Sequence, residues 1–469
     1  MIKKIGFYCL LFGLLAACKP NVTLTKKPIP GLANFSNYLA IGNSLTSGFS
    51  DNSLTVSGQL NSYPQRLFEQ FQLIPGDSGG AKSYFVQPLL HSDNGYPNAK
   101  YVLGYVHDTC TTDSTLSAVT YPNFIPDPID AQRYTWQNSN YNHGQINNLG
   151  VPGIRVADFS VPGYGRGNPY SVRFFHDTSI GSTPFDELNY RVHNLHPSFF
   201  TMWLGANDVL GYAVAGGIGD GTGNALPNAF GYYNTTDVTP WTVFYKNYDS
   251  AVRVATSTGA RGVLINIPDI TTLPYCTVIP SNGLVIKSQD SADALNAYWK
   301  TTYPAVVINK AFQVGNNQYM VKDHNNILRQ SVPGELILMS IPQEQLTCTA
   351  YGSYQPIDGQ YVLTTEEIQM IRTATLMYNS YIYQEALTYN LTYVDMNAYL
   401  TTLYTGIVFN GINYNAGYMS GGAFSLDGIH LTQRGYALVA NKILTDINTY
   451  YHSTIPMADV NKYHGVLFP

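Results

Sequence analysis

The sequence predicts an α/β fold built around a mainly parallel sheet of five strands. Five short apolar runs are typical of buried strands, because parallel strands that are covered on both faces carry nearly continuous apolar sequence. Stretches with helical periodicity lie between several of these runs, and strands that alternate with helices favour a parallel sheet. The five predicted strands span residues 38–42, 145–151, 198–204, 262–267 and 391–396.

The segments between and after these runs predict the helices. One segment places apolar side chains three or four residues apart, which puts them on one face of a helix. Another begins with a capping-box pattern, in which Thr364 is followed by Glu367. The helices predicted in this way span residues 242–258, 289–301, 365–389 and 432–451.

Composition favours a folded, exported protein. The 469 residues include 25 Lys and Arg against 30 Asp and Glu, and 45% are hydrophobic. So few charged residues and so many hydrophobic ones exclude a disordered tail or a coiled coil, because both need a larger charged fraction. The net charge of −5 argues against a general nucleic-acid-binding protein. The 38 tyrosines fit either a surface that meets other molecules without charge or the packing of strands.

The first residues predict export and a lipid anchor. Two lysines precede an apolar run that is too short to cross a bilayer, and small residues follow it, as in a signal peptide. Residues 15–18 (LAAC) resemble a bacterial lipobox, which implies removal of residues 1–17 and acylation of Cys18. The alternative is a plain signal peptide with an incidental cysteine. We expect residues 18–34 to form a tether and the protein to be lipid-anchored in the bacterial cell envelope, at the outer membrane.

The rest of the chain predicts one domain with large insertions. Segments 51–144 and 211–240 are rich in Gly, Pro, Asn, Ser and Tyr and show little periodicity, and 272–364 forms a third insertion. We therefore expect a single domain over 35–455 that carries these insertions, followed by a tail over 456–469.

The remaining cysteines and a pair of histidines predict no metal site. Cys110, Cys276 and Cys348 lack the spacing of zinc ligands, and His193 and His196 lie three residues apart without a third ligand nearby. Outside the cytoplasm two of the three cysteines can form a disulfide. All three pairings are open, with a weak preference for Cys276 with Cys348.

Four short segments place reactive groups after predicted strands or at the start of the last helix. Ser44 follows the first strand, where its hydroxyl can face solvent. Asp427 and His430 fall on one turn, as required of an acid that orients the base of a serine nucleophile. Gly153 and Asn207 follow the second and third strands and supply neutral donors for an oxyanion. Parallel sheets form their sites at these carboxyl ends.

In sequence order the four segments read GNSL, NLGVPG, GAND and DGIH. They resemble the signature segments of the SGNH hydrolase superfamily, also called GDSL esterases and lipases. The resemblance covers nearly the whole mature chain apart from the insertions, and it implies a three-layer α/β/α, flavodoxin-like fold. It implies that Ser44 is the nucleophile and His430 the general base, oriented by Asp427. It also implies that Gly153 and Asn207 join the Ser44 amide in an oxyanion hole.

Each of these residues also has a purely structural interpretation. Ser44 or Asp427 can cap a helix, and His430 can be a surface residue. Gly153 can permit a turn, and Asn207 can cap the segment that follows it.

One position departs from the family pattern, since Asn43 stands where the motif usually has Asp. Asn keeps an acceptor oxygen and loses the charge. That Asp is not a member of the triad in the family, so we expect activity to persist.

These inferences predict a lipid-anchored, extracytoplasmic serine hydrolase that cleaves carboxylic esters without a metal or other cofactor. We expect its substrate to be an acylated polysaccharide or a lipid. We also expect the lipid on Cys18 to attach the protein to the membrane, and we expect no binding to nucleic acid. Two alternatives remain open. One is a glycan- or partner-binding lipoprotein on an inactive hydrolase scaffold, and the other is an acyltransferase.

Overall fold

The structure, a computed structural model, describes residues 27–80, 83–107, 109–110, 114–133, 145–228 and 232–469. The predicted signal peptide and Cys18 lie outside these ranges. Within them, no helix is long and apolar enough to cross a membrane.

Five parallel strands form the central sheet, which confirms the predicted fold class. They are β1 (Tyr38–Gly42), β2 (Asn148–Gly150), β3 (Phe199–Trp203), β4 (Arg261–Ile265) and β5 (Thr392–Val394), and their order across the sheet is β5-β4-β3-β1-β2. Each overlaps one predicted strand. Every residue of β1 and β3 is buried, as expected for strands that are covered on both faces.

Strand β1 lies inside the sheet, and its pairing aligns the strand ends. Gly42, its last residue, is opposite Gly150 of β2 on one side and Trp203 of β3 on the other. The chain segments that follow these three strands therefore leave the sheet side by side.

Helices flank the sheet in two groups. The main ones are α1 (Ser44–Ser47), α2 (Tyr63–Phe71), α3 (Pro184–Leu195), α4 (Asn207–Val214), α5 (Trp241–Thr256), α6 (Thr365–Thr388) and α7 (Gln433–Tyr451). Helix α2 packs against α7, whereas α5 contacts α3 and α6, and α6 contacts α4. The ring of Tyr378 in α6 stacks on Phe244 in α5 with centroids 4.0 Å apart. Together the two groups and the sheet bury one large apolar core.

The start of α6 shows why a predicted helix forms where it does. The hydroxyl of Thr364 accepts the N–H of Glu367, and the Glu367 carboxylate accepts the N–H of Thr364. This capping box satisfies two backbone donors that have no partner within the helix. A threonine, Thr432, caps α7 in a similar way through the N–H of Gly435.

The three segments predicted as insertions contain regular structure. Segment 51–144 includes α2, whose Tyr63, Leu67 and Phe71 are fully buried, so the expectation of little periodicity there is wrong in part. Segment 272–364 builds two small apolar clusters of its own, one of them around Trp299.

The remaining helices of the described chain are Val56–Leu60, Pro128–Arg133, Tyr164–Gly167, Pro274–Thr277, Gln289–Thr302, Gln343–Cys348 and Met396–Thr401. The remaining strands are Tyr101–His107, Ser114–Thr120, Leu284–Ile286, Gly315–Asn317, Met320–Lys322, Leu328–Gln330, Leu336–Ile337, Ile357–Asp358, Val362–Leu363, Ile407–Phe409 and Ile412–Tyr414.

A disulfide joins two of these segments, and it is not the pair favoured from the sequence. Cys110 is bonded to Cys348, 238 residues later. Cys276 is a free thiol, 1% exposed and packed in the main core. The preference for Cys276 with Cys348 is therefore wrong, because Cys276 faces the interior whereas its expected partner ends a helix with no buried residue.

The two ends of the described chain are joined on one side of the molecule. The N–H of Leu32 donates to the carbonyl of Tyr451 at the end of α7, at 2.8 Å, and the N–H of Thr454 donates to the carbonyl of Ile29. The Thr454 hydroxyl in turn accepts the N–H of Ile29. We call this pairing of residues 29–32 with 451–454 the terminal strap.

Candidate active site

Strand β1 is followed by Asn43, and Ser44 then begins α1. Asn43 caps the helix because its side-chain oxygen accepts the N–H of Leu45 at 3.1 Å. As the first residue of the helix, Ser44 has a backbone N–H without an acceptor inside it, so this donor can serve another group.

Ser44, His430 and Asp427 form a hydrogen-bonded chain. The Oγ atom of Ser44 lies 2.8 Å from Nε2 of His430, and Nδ1 of His430 lies 2.9 Å from Oδ2 of Asp427. The ring of Phe49 lies against the imidazole, with centroids 4.6 Å apart. Oriented by a buried carboxylate, such an imidazole can remove the proton of the serine hydroxyl. The structure therefore brings Ser44 to a pair of residues that lie 383 and 386 positions later in the sequence.

The carboxylate of Asp427 is held in its ionised form. Its Oδ1 atom accepts the N–H groups of Ile429 and His430 and the hydroxyl of Ser425, at 2.8–3.1 Å. Its Oδ2 atom also accepts the N–H of Asn52 at 2.9 Å. Burial opposes ionisation, but the His430 charge and these hydrogen bonds outweigh it, and they hold the pKa of Asp427 well below its usual range.

A tight turn supplies the Asn52 donor. Asp51 and Asn52 have φ angles of 51° and 61°, and Ser50 and Ser53 pair on either side of them. Asp and Asn are the non-glycine residues that adopt this left-handed conformation most readily. The adjacent Asp and Asn between two serines are a turn signal in the sequence, but nothing in the sequence links this turn to Asp427.

Asp51 also binds the segment that precedes Asp427. Its carboxylate accepts the N–H of Leu426, and its own N–H donates to the hydroxyl of Ser425. Burial and the nearby Asp427 raise the pKa of Asp51 to about 6, against the lowering effect of the Leu426 hydrogen bond.

Gly153 lies in the loop after β2, and Asn207 begins α4 after β3. Gly153 has a φ of +81°, a conformation that glycine adopts without strain. The side-chain nitrogen of Asn207 donates to the carbonyl of Ile154, the next residue, at 2.9 Å. This bond uses one of the two amide hydrogens, so the second is available to another acceptor.

Asp208 fixes the loop that carries Gly153. Its two carboxylate oxygens accept the N–H groups of Val156 and Ala157, at 2.8 and 3.2 Å. Burial raises the pKa of Asp208 to about 6, although these hydrogen bonds and the charge of Arg155 oppose the shift. Asp208 therefore has a structural role, because it holds the backbone of the loop that follows Gly153.

Two depressions meet at Asn207, and one of them includes Ser44. The first is a cavity of about 30 Å³ whose wall includes Asn43, Ser44, Asn207 and His430 and is otherwise apolar. We call it the apolar slot. The second is an open groove of about 700 Å³ on the other side of Asn207, where Gly153 also lies. We call it the wide groove.

The structure thus places the five predicted site residues around these two depressions. Ser44, Asn207 and His430 line the slot, Gly153 and Asn207 line the groove, and Asp427 lies behind His430. The side-chain nitrogen of Asn266, which follows β4, donates to the Tyr393 hydroxyl and to the Asp395 carboxylate and so has a structural role.

The two histidines at metal-like spacing are not clustered with other ligands. Nδ1 of His193 contacts the carbonyl of Asn189 in its own helix. Across the described part of the chain, no group of three or more His, Cys, Asp or Glu side chains could hold a metal ion.

The chain matches a protein-family model and is similar to a solved structure. The model of the GDSL-like lipase/acylhydrolase family matches residues 38–443, most of the chain. Among solved structures, the chain is similar to one from Parabacteroides merdae ATCC 43184 that is described as a candidate GDSL-like lipase. That similarity has 10% sequence identity and a TM-score of 0.31, and it covers 90% of this chain and 99% of the other. No curated protein matches the chain.

Proposed function

The chain belongs to the GDSL-like lipase/acylhydrolase family, and we propose that it hydrolyses carboxylic esters with Ser44 as the nucleophile. The observation that carries this proposal is the hydrogen-bonded chain from Ser44 through His430 to Asp427. Ester hydrolysis by a serine nucleophile needs a base within hydrogen-bond reach of the serine hydroxyl and a group that orients the base.

In the first step His430 takes the proton of the Ser44 hydroxyl as Oγ attacks the ester carbonyl. The negative oxygen that forms is stabilised by the backbone N–H groups of Ser44 and Gly153 and by the free side-chain hydrogen of Asn207. The carbon–oxygen bond to the alcohol then breaks, and His430 gives its proton to the leaving alcohol. Asp427 stays ionised and stabilises the imidazolium.

In the second step water releases the acid. His430 takes a proton from the water molecule, whose oxygen attacks the acyl carbon on Ser44. The bond between acyl carbon and Oγ breaks, and the proton returns from His430 to Ser44. The step consumes one water and releases one carboxylic acid, and no metal or organic cofactor takes part in this scheme.

We also propose that the protein is exported and carries a lipid on Cys18. The support for this is the sequence LAAC at 15–18 behind a charged and then apolar leader. Two or more acyl chains are needed to hold a protein firmly on a membrane. Mass spectrometry of the amino-terminal peptide after expression in a bacterial host tests the proposal, because a diacylglyceryl mass on Cys18 supports it and an unmodified Cys18 contradicts it.

The test of the catalytic proposal is hydrolysis of p-nitrophenyl esters by the wild type and Ser44→Ala. We expect cleavage by the wild type, loss of most of it in the variant, and labelling of Ser44 by a fluorophosphonate probe. A folded protein that cleaves no ester and is not labelled would contradict the proposal and support the binding-lipoprotein alternative. Transfer of the acyl group to an added alcohol in preference to water would support the acyltransferase alternative.

A further inference from the structure

The slot at Ser44 and the groove that adjoins it at Asn207 differ in size and in the side chains that line them, and this difference bears on the substrate. We propose that the apolar slot binds a short acyl group of two or three carbons and that the wide groove binds a neutral carbohydrate. The substrate class is therefore a short-chain, above all acetyl, ester of a carbohydrate. This inference rests on the proposed function, because it assumes that Ser44 attacks the ester.

The slot has the size and surface of an acyl site. Apart from the groups beside Ser44, its wall consists of apolar side chains such as Leu210, Ile270, Leu273, Leu400 and Phe424. A cavity needs about 10–15 Å³ to hold one water molecule, so a slot of about 30 Å³ suits a group of only a few non-hydrogen atoms. Four of these five side chains are buried, and displacing packed side chains costs free energy. A long acyl chain would have to displace these side chains or extend out of the slot.

The groove has the size and surface of a carbohydrate site. Three tyrosines, Tyr164, Tyr232 and Tyr233, line it together with Asn168 and Asn234. Tyrosine rings present an apolar face and a hydroxyl, which suits the alternating C–H and O–H groups of a sugar. At about 700 Å³ the groove is more than twenty times larger than the slot.

The groove also offers no free charge to a ligand. Arg155 and Asp158 are the charged residues on its described wall, and they bind each other at 2.8 Å with side chains 6% and 8% exposed. Two further N–H groups of Arg155 donate to the carbonyls of Tyr233 and Asn234. A phosphate or carboxylate group would find no unpaired cation there, which favours a neutral partner.

The chemistry of an ester decides which part enters which depression. A carbohydrate contributes hydroxyl groups, so it is the alcohol part of the ester, and the acyl part is the apolar one. Hydrolysis therefore releases a free sugar hydroxyl and acetate, with one water consumed. The slot and groove meet at Asn207 and Leu210, which line both, so one ester bond can lie between them.

The first experiment measures kcat/KM for p-nitrophenyl acetate, propionate, butyrate and octanoate. We expect the highest values for acetate and propionate, and a fall of about tenfold or more for each methylene that exceeds the slot. Leu400→Ala enlarges the slot and is expected to shift the preference to butyrate. Leu403→Ala is the matched control, because Leu403 is a buried leucine of the same region that does not line the slot, and it is expected to leave the preference unchanged.

The second experiment uses acetylated xylo-oligosaccharides and p-nitrophenyl acetate side by side. We expect Tyr232→Ala to raise KM for the oligosaccharide severalfold, and by a larger factor than KM for p-nitrophenyl acetate, whose leaving group is much smaller than an oligosaccharide. Tyr232→Phe keeps the ring and is expected to retain most of the affinity. Tyr84→Ala, at an exposed tyrosine away from the groove, is the control and is expected to change neither.

The outcomes separate this inference from the proposed function. Cleavage that depends on Ser44 but prefers octanoate, or an ester preference that Leu400→Ala leaves unchanged, would overturn the inference and keep the function. A Leu400→Ala variant that alters the preference among alkyl acetates, and not the preference among acyl groups, would also overturn the inference and keep the function. A Tyr232→Ala variant with normal KM for the oligosaccharide would do the same. Absence of all ester cleavage and of fluorophosphonate labelling would overturn both.

Discussion

The backbone N–H of Asn52 donates a hydrogen bond to Oδ2 of Asp427, a residue 375 positions later in the chain. The same carboxylate oxygen contacts the imidazole of His430. A turn in the first part of the chain therefore helps to orient a carboxylate near its end. Because the donor is a main-chain group, its position depends on the left-handed conformation of the turn and not on a side-chain rotamer.

The first prediction concerns the Asp427 carboxylate. Asp427→Asn keeps the size of the side chain but removes the charge that stabilises the imidazolium and selects its tautomer, so we expect kcat to fall by about 10⁴-fold. Ser425→Ala removes one of several donors to the same carboxylate, and we expect a fall of less than about tenfold. Steady-state kinetics on p-nitrophenyl acetate measure both, with circular dichroism to check folding. Equal effects of the two substitutions would contradict the role given to Asp427.

The second prediction is that Ser44 and His430 act as a unit. Ser44→Ala and His430→Ala are each expected to lower kcat by about 10⁵–10⁶-fold, and the double variant is expected to be no slower than either single variant. The reason is that the base has no function once the nucleophile is absent. Single-turnover and steady-state assays of the three variants measure the effect. A double variant that multiplies the two losses would show that the residues act independently.

The third prediction concerns stability and pH. Because burial raises the pKa of Asp208 to about 6, the folded protein binds a proton there more tightly than the unfolded chain, whose Asp pKa is about 3.9. The resulting stabilisation is present below about pH 4 and is lost as pH rises through 6. Relative to Asp208→Asn, wild type is therefore expected to lose up to about 3 kcal/mol in the free energy of unfolding between pH 4 and pH 7. Urea unfolding at several pH values measures this difference, and a difference that grows with pH would contradict the assignment.

The fourth prediction concerns the disulfide. Cys110→Ser removes a bond that closes a loop of more than two hundred residues, and we expect a loss of about 2–5 kcal/mol in the free energy of unfolding under oxidising conditions. Cys276→Ser breaks no bond and serves as the control for loss of a cysteine. Peptide mapping without reduction is expected to recover a peptide that links Cys110 to Cys348. A link from Cys276 to either of the other two would show that the pairing is different.

The sheet could be predicted from sequence because each of its strands is a local pattern. All five strands lie within predicted runs or overlap them, and the observed strands are shorter by up to four residues at the ends. The apolar runs continue past the last ladder hydrogen bond because the flanking residues are also buried. Ile146, for example, is fully buried but precedes β2.

The features that the sequence did not predict depend on long-range contacts or on patterns that were overlooked. Nothing near Cys110 indicates Cys348 as its partner, and nothing near Asn52 indicates Asp427. Helix α2 is different, because it does have a local sequence pattern. Tyr63, Leu67 and Phe71 follow helical spacing, but they lie in a segment that is otherwise rich in turn-forming residues.

The candidate site was largely visible in the sequence. Ser44, Gly153, Asn207, Asp427 and His430 were selected from short motifs, and the structure places them around one pair of depressions. Their catalytic roles stay a prediction. The slot could not be predicted, because residues such as Ile270, Leu400 and Phe424 come from separate segments that only the folded chain brings together.

The terminal strap has a practical consequence for handling the protein. The chain passes from the strap into the amino end of β1 at Tyr38, whereas Ser44 follows its carboxyl end, and a strand of five residues spans about 15 Å or more. A support or fusion partner that is attached ahead of residue 27 is therefore joined to the side of the molecule opposite the slot and groove. Immobilisation through the amino terminus is thus expected to leave both openings facing the surrounding solution, where large dissolved or particulate material can reach them.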